Sequence, residues 1–133
     1  MDRQLRDLVR DRAGNRCEYC RLKQEHYRLW HHQIEHVIPR KHRGSDDENN
    51  LALSCVRCNL GKSSNLSGID HDSGEIVTLF NPRTQNWFEH FAFENARIIG
   101  ITPTGRATVA VLNINEDERL QLRMELLLNG ELD

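Results

Sequence analysis

The sequence predicts an α+β protein in two parts: residues 1–65 form a small core held by four cysteines behind an N-terminal helix, and residues 66–133 form a C-terminal extension with a β-hairpin and a terminal helix, packing on that core. Three observations carry this. The cysteines fall as two CxxC pairs, Cys17/Cys20 and Cys55/Cys58, with 34 residues between them. Helix-period and strand-like segments alternate, separated by Gly, Asn and Pro. The charge divides: residues 1–65 hold 13 basic against 9 acidic residues (+4), and residues 66–133 hold 5 against 11 (−6).

In chain order, residues 2–13 read as a helix, with Leu5, Leu8 and Val9 on one stripe and Arg and Asp around the rest. "AGN" stops it. The segment "YRLWHHQIEHVIP" carries β-branched and aromatic residues suited to a short pair of strands, closed by Pro39. A polar loop, "RKHRGSDDENN", turns at Gly44; "LALSC" returns, and a short helix is expected over about 57–64. Beyond 66, "DHDSGEIVTLF" reads as a turn entering a strand. "ARIIGITPTGRATVAVL" reads as a hairpin bent at Pro103, Thr104 and Gly105. Asn115 is placed to cap the last helix, with Glu118 completing a capping box, and Gly130 to end it. That helix's leucines are expected to cover the hairpin; a dimer seam is the rarer use of such a stripe.

Composition excludes some classes. The first residues, "MDRQLRDLVRDR", are charged, and no apolar run approaches the roughly 20 residues of a membrane span. A cytoplasmic protein without membrane contact is expected. In reducing surroundings, paired CxxC turns favour a metal over disulfides, and four thiolates with no open position describe a structural zinc. The excess of positive charge on the cysteine-bearing half permits phosphate binding without requiring it.

Between the cysteine pairs lies "IEHVIPRKHRGSDDENNLALSCVRCNLGK". Glu35 and His36 are adjacent, Asn50 follows His36 by fourteen residues, and Asn59 comes nine later, directly after Cys58. This arrangement resembles the HNH endonuclease motif, over about residues 14–64. The resemblance implies a ββα-metal core that hydrolyses DNA phosphodiester bonds with one divalent cation, leaving 5′-phosphate and 3′-hydroxyl ends. Many members of the family have Asp where this chain has Glu35.

The chemistry asks for the same residue types. Phosphodiester hydrolysis needs a deprotonated water and a cation on the phosphate oxygens. His36 can take the proton, helped by a backbone carbonyl on its other nitrogen. Glu35 and Asn59 offer oxygens to a hard ion, Mg²⁺ or Mn²⁺, with Asn59 aligned by the zinc clamp beside it. Asn50 is expected to brace the loop. Lys62 is either a phosphate contact or an ordinary exposed lysine. Arg40, Lys41, Arg43 and Arg57 are candidates for the DNA backbone, and His31, His32 and His42 for substrate or metal. The aromatic run Trp87, Phe88, Phe91, Phe93 reads first as core and second as a surface for stacking bases.

A rival reading is a non-catalytic zinc-ribbon module that binds nucleic acid or protein. It accounts for the cysteines and the basic half, but gives Glu35, His36 and Asn59 no reason for their spacing. Paired cuts across a duplex would be easier for a homodimer.

Overall fold

The computed structural model describes residues 1–132. They cluster into two compact units. The first holds Met1–Leu66 together with a returning segment, Asn81–Gln85; the second holds Ser67–Phe80 and the chain from Asn86 onward.

The first unit begins with helix α1 (Arg3–Arg12), whose N-cap Asp2 accepts a hydrogen bond from Leu5 N at 2.8 Å. Val9 is fully buried and packs with Leu51 and Leu53; Leu5, Ala13 and Ile34 close over them. Leu8 is exposed, so the apolar stripe is narrower than the sequence suggested. Strand β1 (Gln33–His36) pairs antiparallel with β2 (Leu51–Ser54), Glu35 opposite Ala52 and His36 opposite Leu51. "YRLWHHQIEHVIP" therefore supplies one strand rather than two; Leu29 and Trp30 precede it, exposed. Helix α2 (Val56–Lys62) follows β2 after a single residue, Cys55, whose Sγ caps it by accepting from Cys58 N. β1, β2 and α2 are the ββα core.

Gly44 has a steric role. A Cβ there would lie 1.6 Å from the Ile38 carbonyl oxygen, so only glycine lets the loop fold back onto the end of β1.

In the second unit, β3 (Ser67–Ile69) pairs with β4 (Ile76–Thr78), and a four-residue helix α3 (Trp87–His90) leads into a hairpin of β5 (Phe91–Glu94) and β6 (Arg97–Gly100). Trp87 stacks on Phe91 at 5.0 Å, and Phe91 meets Phe80 edge-on at 5.2 Å; all three are buried, so two of the four aromatics of the run fill core, while Phe93 is half-buried and Phe88 exposed.

The expected hairpin bend at Pro103–Gly105 is instead the start of helix α4 (Pro103–Val111). Thr102 caps it, accepting from Gly105 N at 3.0 Å, and Pro103 occupies the first helical position. Thr-Pro was a helix-start signal, and the β-branched residues after it were overridden by packing. The actual hairpin turns one segment earlier, between Glu94 and Arg97.

The final helix, α5 (Asp117–Leu128), is capped by Glu116 rather than Asn115. Asn115 lies along β6, accepting from Ile98 N and donating to Ile98 O. Gly130 ends the helix with φ at +71°. Its buried face is Arg119, Arg123 and Leu126, not a leucine stripe. Arg119 donates to the Leu112 carbonyl, and Arg123 to those of Ala96 and Ile114, so guanidinium groups bind carbonyls that regular structure leaves over. Among the described residues, no helix is long and apolar enough to cross a membrane.

Candidate active site and metal centre

The two CxxC turns meet. Cys17, Cys20, Cys55 and Cys58 are fully buried and their sulfurs all lie within 4.8 Å of one another, with Cys20 and Cys55 Sγ 3.6 Å apart. A tetrahedron of Zn–S bonds near 2.3 Å has edges of about 3.8 Å, so the four thiols fit zinc. In each turn the second Cys N–H points at the first Cys Sγ, at 3.4 Å. Burial pushes the Cys17 and Cys58 thiols well up, the direction that a bound cation reverses. Among the described residues, this is the only cluster of three or more His, Cys, Asp or Glu ligands.

β1 alternates, so Glu35 and His36 point to opposite faces. Glu35 is buried, and its carboxylate accepts a short hydrogen bond from the Tyr19 hydroxyl and faces Lys62 Nζ at 3.3 Å. Burial outweighs both favourable partners and raises its pKa. Lys62 is equally buried and donates to the main-chain oxygens of His36, at 3.2 Å, and Val37, at 3.0 Å. Read from sequence as a phosphate contact or a surface lysine, Lys62 is neither. It stands four residues after Cys58, on the buried face of α2, where three oxygens hold the ammonium.

His36 is on the open face, with a side chain 17% exposed. Its Nε2 lies 2.6 Å from Asp46 Oδ1, and Arg40 reaches the same oxygen at 3.1 Å. The ring's partner is thus a carboxylate, where a backbone carbonyl was expected. The hydrogen bond from His36, then Arg40, holds the Asp46 carboxyl below the usual carboxylate range. Asp46 was missed in the sequence because nothing in "GSDDENN" distinguishes one acidic turn residue from the next.

Asn50 ties the intervening loop: its Oδ1 accepts from Ile38 N at 2.8 Å, its Nδ2 donates to Ile38 O and Ser45 O, and its carbonyl accepts from Val37 N. These bonds flank His36 and set where Asp46 returns. Asn59, in the first turns of α2, donates from Nδ2 to Gln33 Oε1. The remaining candidates separate by exposure. Arg40, Lys41, Arg43 and Arg57 are at the surface. His42 is also exposed and bonds the Ser64 carbonyl. His32, by contrast, is buried, its Nε2 on the Leu22 carbonyl at 2.8 Å, with burial lowering its pKa. Its ring is closed off from bulk solvent, and its Nδ1 has no hydrogen-bond partner among the described residues. In the second unit Asp70 is buried in a fork from Arg106.

A buried four-cysteine clamp, two antiparallel strands and a short helix bringing a Glu-His pair, a loop Asn and an Asn after the last Cys together define the class. The family model described as HNH endonuclease matches residues 17–65, and this segment is an HNH domain. Over 112 residues the chain is 32% identical to the Septu protein PtuB of Bacillus thuringiensis, an alignment covering 81% of this chain and 40% of that protein. The chain therefore spans less than half the length of this curated relative. No solved structure matches it.

Proposed function

We propose that the HNH unit is a metal-dependent endonuclease that hydrolyses DNA phosphodiester bonds with His36 as general base. The observation that carries this is the His36–Asp46 pair: a carboxylate at 2.6 Å fixes an imidazole on the open face. With Asp46 ionised, Nε2–H is the donor, leaving Nδ1 as the ring's basic nitrogen. Nδ1 takes the proton of the attacking water, and Asp46 stabilises the imidazolium that results.

The donor set suits a hard cation with few protein ligands and several waters. Bound there, Mg²⁺ or Mn²⁺ would neutralise charge on the phosphate oxygens and the leaving oxygen. Asn59 Oδ1 is one oxygen ligand; Glu35, the other expected from sequence, already faces an ammonium. A cation bound by Glu35 must displace Lys62, whereas Asp46 offers an exposed carboxylate without that cost. We therefore place Asp46 ahead of Glu35 as the acidic ligand or its hydrogen-bonded support. Arg40, Lys41 and Arg57 contribute backbone affinity without sequence reading.

The test is nicking of supercoiled plasmid with Mg²⁺, Mn²⁺ or neither, by the wild type and by His36→Ala with equal zinc content. Metal-dependent nicking that the variant loses supports the proposal. Equal nicking by both removes His36 from the chemistry, and DNA binding without cutting by either favours the zinc-ribbon module.

A further inference from the structure

Beside the proposed active centre lies an open cleft of about 540 Å³, lined by α1 and by the segment entering β1, including Arg6, Arg10, Trp30, His31 and Gln33. Its volume falls in the range of small-ligand sites, but its character is not that of an apolar pocket. No carboxylate is among its lining residues. On α1, Arg3, Arg6 and Arg10 follow at i, i+3 and i+7 and share one stripe; Asp7 flanks that stripe, four residues after Arg3, but does not line the cleft, and Asp11 turns further from it. Arg10 gives one N–H to the His32 carbonyl at 3.0 Å, which fixes its guanidinium at the wall and leaves other donors of its five.

Trp30 is 59% exposed, an unusual position for an indole that could have been buried. His32, in the same lining, has a buried Nδ1 without a hydrogen-bond partner among the described residues. An exposed flat aromatic beside two arginines, with no acidic group in the lining, matches what an unpaired nucleotide offers: a π-face, a base edge and a phosphate. Gln33 joins the cleft to the centre. It bonds Asn59, and it stands two residues before Glu35 on β1, on that residue's side of the strand.

We propose that this cleft binds an unpaired nucleotide of the DNA strand, its base stacked on Trp30 and its phosphate held by Arg6 and Arg10. The inference deepens the nuclease reading, since it assigns a preference for frayed, flapped or single-stranded DNA over intact duplex.

The experiment uses the full chain carrying His36→Ala, zinc-loaded, so that no substrate is consumed. A 12-nucleotide single strand and the matching duplex are titrated by anisotropy, with tryptophan emission followed in parallel. The other tryptophan, Trp87, is only 6% exposed, so quenching reports Trp30. The expected result is quenching by the single strand, and in Trp30→Ala a loss of single-strand affinity of about tenfold, the effect of removing one stacking platform. Duplex affinity should stay within about twofold. Arg6→Ala should reduce the slope of log affinity against log salt by about 0.7, one single-strand phosphate contact. Unchanged single-strand affinity in Trp30→Ala, or binding without quenching, overturns the proposal, as does equal weakening on duplex and single strand. Plasmid nicking by the parent protein with Trp30→Ala indistinguishable on every substrate refutes this site and leaves the nuclease intact. Quenched, Trp30-dependent binding with no nicking refutes the nuclease and leaves the site.

Discussion

Lys62 Nζ stands 3.3 Å from Glu35 Oε2, with both side chains almost wholly buried, and the same ammonium donates to the carbonyl of His36. An ion pair removed from water is held only by the geometry that satisfies it. Here Tyr19 satisfies the other Glu35 oxygen, and Tyr19 sits between Cys17 and Cys20. A line of contacts therefore runs from the metal clamp through a phenol, a carboxylate and an ammonium to the backbone of the proposed base.

Breaking that pair from either side strands a buried charge. Glu35→Gln and Lys62→Met should each destabilise the HNH unit by about 3–5 kcal/mol in urea unfolding with zinc saturating. The double variant should lose less than the sum, with coupling on the order of 0.5–3 kcal/mol. Strict additivity would show that the pair contributes no interaction of its own.

Asp46 is half exposed, so Asp46→Asn should leave zinc content and melting temperature unchanged. Its effect is expected in kcat, about 10- to 100-fold, a share of what a general base supplies, through loss of the anion that orients His36. His36→Ala should cost about 10²–10⁴-fold. An Asp46→Asn enzyme of wild-type turnover would remove the carboxylate from the proposed mechanism.

Zinc should be needed for the fold of the first unit. The buried thiols favour protons when no cation is near, so metal binding releases protons and apparent zinc affinity should rise with pH. Titration against a competing chelator at several pH values measures this; pH-independent affinity would argue against thiolate ligation. Cys55→Ser should lose zinc while keeping α2 capped, since a serine hydroxyl can accept from Cys58 N as the thiol does.

Asp70 gives a pH dependence in the second unit. The fork from Arg106, aided by Ser73, holds its carboxyl well below the usual range. A depressed carboxylate adds stability above its unfolded pKa and loses it as pH falls through the folded one. The melting temperature of wild type should therefore exceed that of Asp70→Asn at neutral pH, and the gap should close in strongly acid solution. A gap that widens with acid would reverse the sign and refute the pairing.

Gly44→Ala should force the Ile38 carbonyl away and disturb the loop that carries Asp46 back to His36. Activity should fall with zinc retained; an unaffected enzyme would mean that the loop can move at little cost.

What the sequence made legible was whatever spacing encodes. Two CxxC pairs announced the clamp, and the run from Ile34 to Lys62 announced the ββα core. Contacts set by side-chain direction were hidden. A strand's alternation sends Glu35 inward and His36 outward, but which residue faces which way depends on the partner layers. Lys62 looked exposed because lysines usually are. Pro103 was misread because Thr-Pro serves turns and helix starts alike, and Asn115 because its amide completes the edge of β6 instead of capping the helix beside it. Arg119 and Arg123 were invisible as core because their burial depends on carbonyls of the turn before α5 and of the β5–β6 turn.

The returning segment Asn81–Gln85 brings Arg83 to the carboxylate of Glu18, which also accepts from Leu53 N at 2.8 Å. Glu18 lies inside the first cysteine turn, so part of the electrostatic support of the clamp is encoded some sixty-five residues downstream of it. Trimming the gene just after codon 66 would keep every residue of the HNH motif and still leave Glu18 without its guanidinium. The smallest autonomous HNH module would then be discontinuous in the chain, and an intact excision would have to carry the intervening strands along.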